Sequence, residues 1–217
     1  CDRCPELCQS RTQIVNGRGP QHAKVAFVGL GPGQKEDADG RPFIGPAGET
    51  ANNWLIAAGF KPKTDVYFIN ATRCIGPKTK EGKEREPTAV EVRNCRSFLM
   101  DELEWVNPDI IVPAGGIALE TLYNEAKFVG GKTLPITRLR GAVLWQEELG
   151  KKMVPILHPA SAFHVWANEK YGIADLKKAY REAGLGATVV MLVPSATDLG
   201  WWHDYAMRAD EIRFIRG

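Results

Sequence analysis

Short apolar runs alternate with stretches of helical spacing along this chain. Residues 24–29 (KVAFVG) form the first run and lead into a glycine-rich segment; residues 66–69 (VYFI), 109–112 (DIIV) and 152–157 (KMVPIL) form three more. Their near-continuous apolar character is that of strands buried on both faces. Between them, residues 49–59 (ETANNWLIAAG) place Trp54, Leu55 and Ala58 on one side of a helix that Gly59 is suited to stop. Residues 88–105 read as a second helix, with Thr88 as N-cap and Glu91 completing a capping box three residues on. Strands alternating with helices predict an α/β fold with a central, mostly parallel four-stranded sheet flanked by helices. In such sheets ligands bind beyond the carboxyl ends of the strands, which singles out the loops after Val28, Ile69 and Leu157. Residues 76–87, rich in Gly, Pro and Lys, read as a mobile surface loop.

Composition adds bounds. A chain of 217 residues can bury a substantial core, and 44% hydrophobic with 25% charged residues is ordinary for a globular protein. The net charge of +2 does not by itself announce a polyanion partner, although basic residues can still cluster on one face. No signal peptide and no apolar run of membrane-spanning length is present, so a cytoplasmic protein is expected. With Cys1 in place of an initiator methionine, the natural start is expected upstream.

Five cysteines with uneven spacing do not resemble a secreted disulfide framework. Cys1 and Cys4 form a C-x-x-C pair, Cys74 follows the second strand and Cys95 sits on the second long helix. Four thiolates from two regions of the chain suit either zinc or a four-iron cluster, and free or redox-active thiols remain a third reading. Cys8 is the odd one out and reads as a packed bystander.

The loops, taken together, carry a resemblance. Residues 29–37 (GLGPGQKED) with 40–48 (GRPFIGPAG), 68–74 (FINATRC), 108–112 (PDIIV), Arg140-Gly141 and 158–162 (HPASA) resemble, in order, the motifs of family-4 uracil-DNA glycosylases. The resemblance runs from Cys1 to about residue 175 and implies a monofunctional, monomeric DNA glycosylase of the uracil-DNA glycosylase fold. Such an enzyme hydrolyses the N-glycosidic bond of uracil or a modified pyrimidine in single- or double-stranded DNA and leaves an abasic site. It also implies that Cys1, Cys4, Cys74 and Cys95 ligate a [4Fe–4S] cluster acting as a structural staple.

On these motifs the residue types make chemical sense. A glycosylase flips its base into a pocket and reads it there. Phe43 supplies a stacking face, and Asn70 offers both an amide donor and an acceptor to a pyrimidine edge. His158 donates to the base as negative charge develops on it. Gly31 and Gly33 let backbone approach the base and phosphates. Glu36 and Asp37 match the acidic pair closing the first motif and are the carboxylate candidates, for orienting water or, at Glu36, for shaping the pocket. Ser161, with Arg140, is placed to hold flanking phosphates, and Phe163 to wedge into the vacated stack.

Two features depart from the family pattern. The family's usual Glu after the first motif glycine is Leu30 here, closer to family-5 enzymes; a changed pocket wall makes a bulkier modified base, as in phage–host conflict, an alternative substrate. A non-catalytic or covalent binder of damaged DNA is the rival from another class. From residue 176 to 217 the chain instead resembles the C-terminal part of phage-type DNA adenine methyltransferases, without their catalytic motif or cofactor loop. That stretch is expected to be a remnant tail.

Overall fold

The computed structural model describes residues 1–123 and 135–184. Its centre is strand β1 (Val25–Gly29), every residue of which is buried. It pairs in parallel with β2 (Val66–Asn70) on one side and β3 (Ile110–Pro113) on the other. Two three-residue strands complete the sheet: β5 (Lys151–Met153), parallel to β3, and β4 (Leu144–Gln146), antiparallel to β5. The order is β2-β1-β3-β5-β4, so the sheet has five strands where four were predicted. The overlooked strand is short and at the edge, with Trp145 half exposed, and so lacks a buried-strand signature. The predicted fourth strand is also trimmed: regular pairing covers β5, and beyond it only Ile156 bridges to Ala114.

The alternation of side chains along β1 divides the core into two layers. Val25 and Phe27 face a layer containing Trp54, Leu55 and Ala58 of α3 (Pro46–Ala58) and Leu176 and Ala179 of α8 (Asn168–Gly184). Ala26 and Val28 face Leu99 and Leu103 of α5 (Ala89–Val106) and Leu119 and Leu122 of α6 (Gly116–Leu122). Each large side chain buried this way contributes about 1.5–3 kcal/mol. The sequence signals that set the helix ends hold: Gly59 closes α3 at φ +104°, and Thr88 caps α5 with Glu91 reciprocating.

The boundary expected at residue 175 falls inside α8. Leu176 and Ala179 are completely buried, Tyr180 stacks edge-on against Phe60 at 5.0 Å, and Lys178 Nζ donates to the Gly141 carbonyl at 2.7 Å. Residues 176–184 are therefore integral to the α/β domain, and the rest of the expected tail lies outside the described residues. Because the chain leaves β1 toward β2 on one side and β3 on the other, the carboxyl end of β1 is the topological switch point, where such sheets bind ligands.

Candidate active site

At that switch point Gly29 is registered against Asn70. A Cβ on Gly29 would lie 2.5 Å from both Asn70 Oδ1 and the Phe43 ring, so the bare backbone lets an amide and an aromatic face converge. Asn70 is buried, yet its side-chain amide makes no hydrogen bond among the described residues; it lines a cavity instead.

Phe43 sits at φ +57°, a conformation bulky residues avoid. Arg18 holds it there, donating from Nε to the Pro42 carbonyl at 2.7 Å and from Nη2 to the Phe43 carbonyl at 3.2 Å. The backbone of Gly48 packs on the same carbonyl, where a Cβ would approach to 2.2 Å. The ring contacts Phe27 edge-on at 5.1 Å and Phe68 at 5.3 Å. Strain of this kind costs about 1–3 kcal/mol and persists where the surroundings over-determine it, typically at functional sites.

His158 precedes the 3₁₀ turn Pro159–Phe163 and caps it, its Nδ1 accepting from the Ala160 N–H at 3.3 Å. A lone pair so engaged puts the ring proton on Nε2. Burial pulls the imidazole below its ordinary value of 6.5, so at neutral pH the ring is an uncharged Nε2–H donor.

Gly31, Gly33, Glu36, Phe43, Asn70 and His158 line one cavity of about 560 Å³, together with Gln34, Lys35, residues 45–48, Glu84, Ala160 and Phe163. The structure thus brings together most of the residues singled out from sequence. Glu36 is committed to backbone: Oε1 accepts from the amides of Ile44 (3.2 Å) and Gly45 (2.8 Å), and Oε2 from Gly33 (3.1 Å). Its carboxylate builds the pocket wall and has little capacity left to orient water. Asp37 does not join the cavity lining; buried, it accepts from the Thr12 N–H at 3.1 and 2.9 Å and pins the N-terminal segment to α2 (Gln34–Asp39). Arg140 is likewise outside the lining, forking onto Asp175 at 2.9 and 2.8 Å. Ser161 Oγ is buried without a hydrogen-bond partner among the described residues, just outside the lining, while Phe163 stands 54% exposed at the mouth. Leu30 is absent from the lining too and contributes its carbonyl, which accepts from the Thr72 N–H at 2.9 Å. Sequence reasoning missed Arg18, Gln34 and Glu84: an isolated Arg in a polar leader and two side chains in polar segments carry no local signature.

The family model described as the Uracil DNA glycosylase superfamily matches residues 16–183. The chain belongs to that superfamily. Among its relatives, the type-4 uracil-DNA glycosylase of Thermotoga maritima is 37% identical over 182 residues, covering 82% of this chain and 87% of the relative. The type-4 enzyme of Archaeoglobus fulgidus is 34% identical over 183 residues, covering 82% and 85%. A type-5 uracil-DNA glycosylase of Pyrobaculum aerophilum is 32% identical over 149 residues, covering 54% and 62%.

In this uracil-DNA glycosylase superfamily member, three cysteines drawn from distant parts of the chain are buried: Cys4, Cys74 and Cys95. Cys4 and Cys74 pack with Leu7, and both thiols act on Cys95, whose pKa is raised chiefly by burial and further by them. Two donors are aimed at the sulfurs: Arg11 Nη1 lies 3.1 Å from Cys74 Sγ and Asn94 Nδ2 lies 3.5 Å from Cys4 Sγ. Cys1 is exposed but fastened to the same place, its carbonyl accepting from Arg11 Nη2 at 2.8 Å. Cys8 donates to that carbonyl and is half-buried. Among the described residues no three His, Cys, Asp or Glu side chains close on a point as they would around a single ion. Also among them, no helix is long and apolar enough to cross a membrane.

Proposed function

We propose that this DNA glycosylase excises uracil from DNA by hydrolysis of the N-glycosidic bond, leaving an abasic site. The observation that carries the reading is the unpartnered Asn70 amide, facing one cavity with Phe43 and the neutral His158. A flipped uracil stacks on Phe43, and Asn70 accepts from its N3–H and donates to its O4. Water attacks C1′ while the base leaves, and His158 Nε2–H donates to the O2 on which negative charge develops. A neutral donor suits this task, since its charge state does not change at neutral pH. Glu36 fixes the wall that encloses the base, Lys35 on the rim lies within reach of flanking phosphates, and Phe163 is exposed at the mouth to fill the vacated stack.

Cys1, Cys4, Cys74 and Cys95 would hold a [4Fe–4S] cluster. The donor set fits it: three buried sulfurs with the exposed Cys1 fastened beside them, and a guanidinium and an amide directed at two of the buried ones, suit the spread charge of a cluster. The cluster would serve as a cross-link between the leader and α5. Residues 185–217, the part of the methyltransferase-like stretch outside the described residues, are read as taking no part in excision.

The test is a panel of single- and double-stranded oligonucleotides bearing uracil, hypoxanthine or 5-hydroxymethyluracil, treated with alkali after incubation. Cleavage at uracil is expected. Excision of a modified base alone would replace the substrate, and no cleavage of any strand would overturn the enzymatic reading.

A further inference from the structure

Hydrolysis at C1′ needs something to orient water and to offset positive charge on the sugar, and the residues described so far leave that place empty. Asp37 is turned away to Thr12, and Glu36 already accepts from three backbone amides. Among the described residues a single further carboxylate lines the cavity, that of Glu84.

Glu84 is delivered by the segment between Cys74 and Cys95. That segment forms a small antiparallel turn in which Lys78 bridges to Glu84. The Thr79 N–H donates to the Lys83 carbonyl at 2.7 Å and the Arg85 N–H to the Pro77 carbonyl at 2.8 Å. Neighbouring residues in such a ladder point opposite ways. Arg85 accordingly turns toward α5, where it forks onto Glu91 at 2.9 and 2.8 Å, and Glu84 turns to the cavity. There Gln34, at the start of α2, donates to Glu84 Oε1, leaving Oε2 without a partner in any other described residue. Gln34 therefore aims the group while leaving one oxygen for a ligand.

We propose that Glu84 is a catalytic residue of the glycosylase, the carboxylate that orients the attacking water. The inference rests on the uracil-excision reading above. In the step, a lone pair of water forms the C1′–O bond as the C1′–N1 pair departs with the base. One water proton passes to Glu84 and then to solvent, and the base anion, held by His158, is protonated by solvent. Glu84 is poised as an anion because the Gln34 hydrogen bond, then one from its own backbone amide, and to a smaller degree Lys78, hold its carboxyl below the usual range.

Single-turnover excision of uracil from double-stranded DNA tests this, with affinity for the same DNA measured separately. General-base groups contribute about 10²–10⁴-fold, so Glu84→Gln is expected to slow the chemical step by at least 10²-fold. Affinity and melting temperature should stay at the parent values, because Glu84 is exposed and the Gln side chain still fills its place. Glu84→Asp should keep a measurable part of the rate, and Gln34→Ala should lower it less than Glu84→Gln does. An E84Q protein excising uracil within twofold of the parent rate would overturn the assignment and leave the glycosylase reading intact. A parent protein inert toward uracil would overturn both.

Discussion

The site's chemistry turns on which polar groups are already spent. His158 gives Nδ1 to the turn that follows it and so presents Nε2–H, Asn70 gives its amide to none of the described residues, and Glu36 gives its carboxylate to three backbone donors. His158→Ala is expected to lower the excision rate by about 10²–10³-fold, the usual cost of removing one donor to a developing oxyanion. Asn70→Ala should weaken binding of uracil-containing DNA by roughly 10- to 100-fold, the loss of two net hydrogen bonds. Both variants should keep the parent circular dichroism spectrum; a protein that unfolds or one that keeps full activity contradicts the roles. Arg18→Met keeps the aliphatic stem but releases the carbonyls that fix Phe43. It should raise KM by about tenfold with a smaller effect on kcat, given the roughly 1–3 kcal/mol of backbone strain no longer enforced. Phe43, Asn70 and His158 were legible in the sequence because each lies in a short motif, Asn70 at the very end of β2. The unsuitability of Asp37 was not legible, since its partner Thr12 lies in a leader with no periodic signal. Nor was the place of Leu30 outside the cavity lining: a motif position shows its neighbours in sequence, not which way it faces.

At the level of elements, α5 shows how a cap couples to pH. Hydrogen bonds from Arg85, with help from Thr88, hold the Glu91 carboxyl at about 2, well below its ordinary 4.5. A depressed folded-state value means stability that is fully present above pH 4.5 and drains away as pH falls toward 2. Parent protein should therefore lose melting temperature steeply across that window, and Glu91→Gln should flatten the loss while costing about 1 kcal/mol at pH 7, as cap deletions do. Equal acid sensitivity in the two proteins would contradict this. The Thr88–Glu91 box was readable from four residues of sequence because capping is local. The strand β4 was not, because it is three residues long and half exposed at the sheet edge; nor was the reach of α8 across residue 175, which depends on distant partners in α3 and the sheet.

Over the whole molecule, the α/β architecture and its binding edge were legible because buried parallel strands announce themselves as apolar runs. The gathering of the cysteines was legible only as a possibility, since thiols from both ends of a long stretch of chain meet through tertiary packing. Cys95→Ser is expected to lose iron and visible absorbance and to melt lower, and a colourless parent protein containing zinc after anaerobic purification would refute the cluster. Removal of residues 185–217 should leave uracil excision unchanged, as the family match ends at residue 183 and α8 at Gly184.

The leader that carries Cys1 and Cys4 is also the brace behind α2. Thr12 binds the Asp37 carboxylate, and Gln13 Nε2 donates to the carbonyls of Asp37 and Ala38 at 3.0 and 2.9 Å. Gln34, Lys35 and Glu36 of that same short helix line the cavity. Damage at the cysteines is therefore expected to reach the reaction as slack in one wall, lowering uracil affinity and, through the Gln34–Glu84 hydrogen bond, the rate as well. For a cluster held by that leader, oxidative loss of iron would act like a vice losing its backing plate.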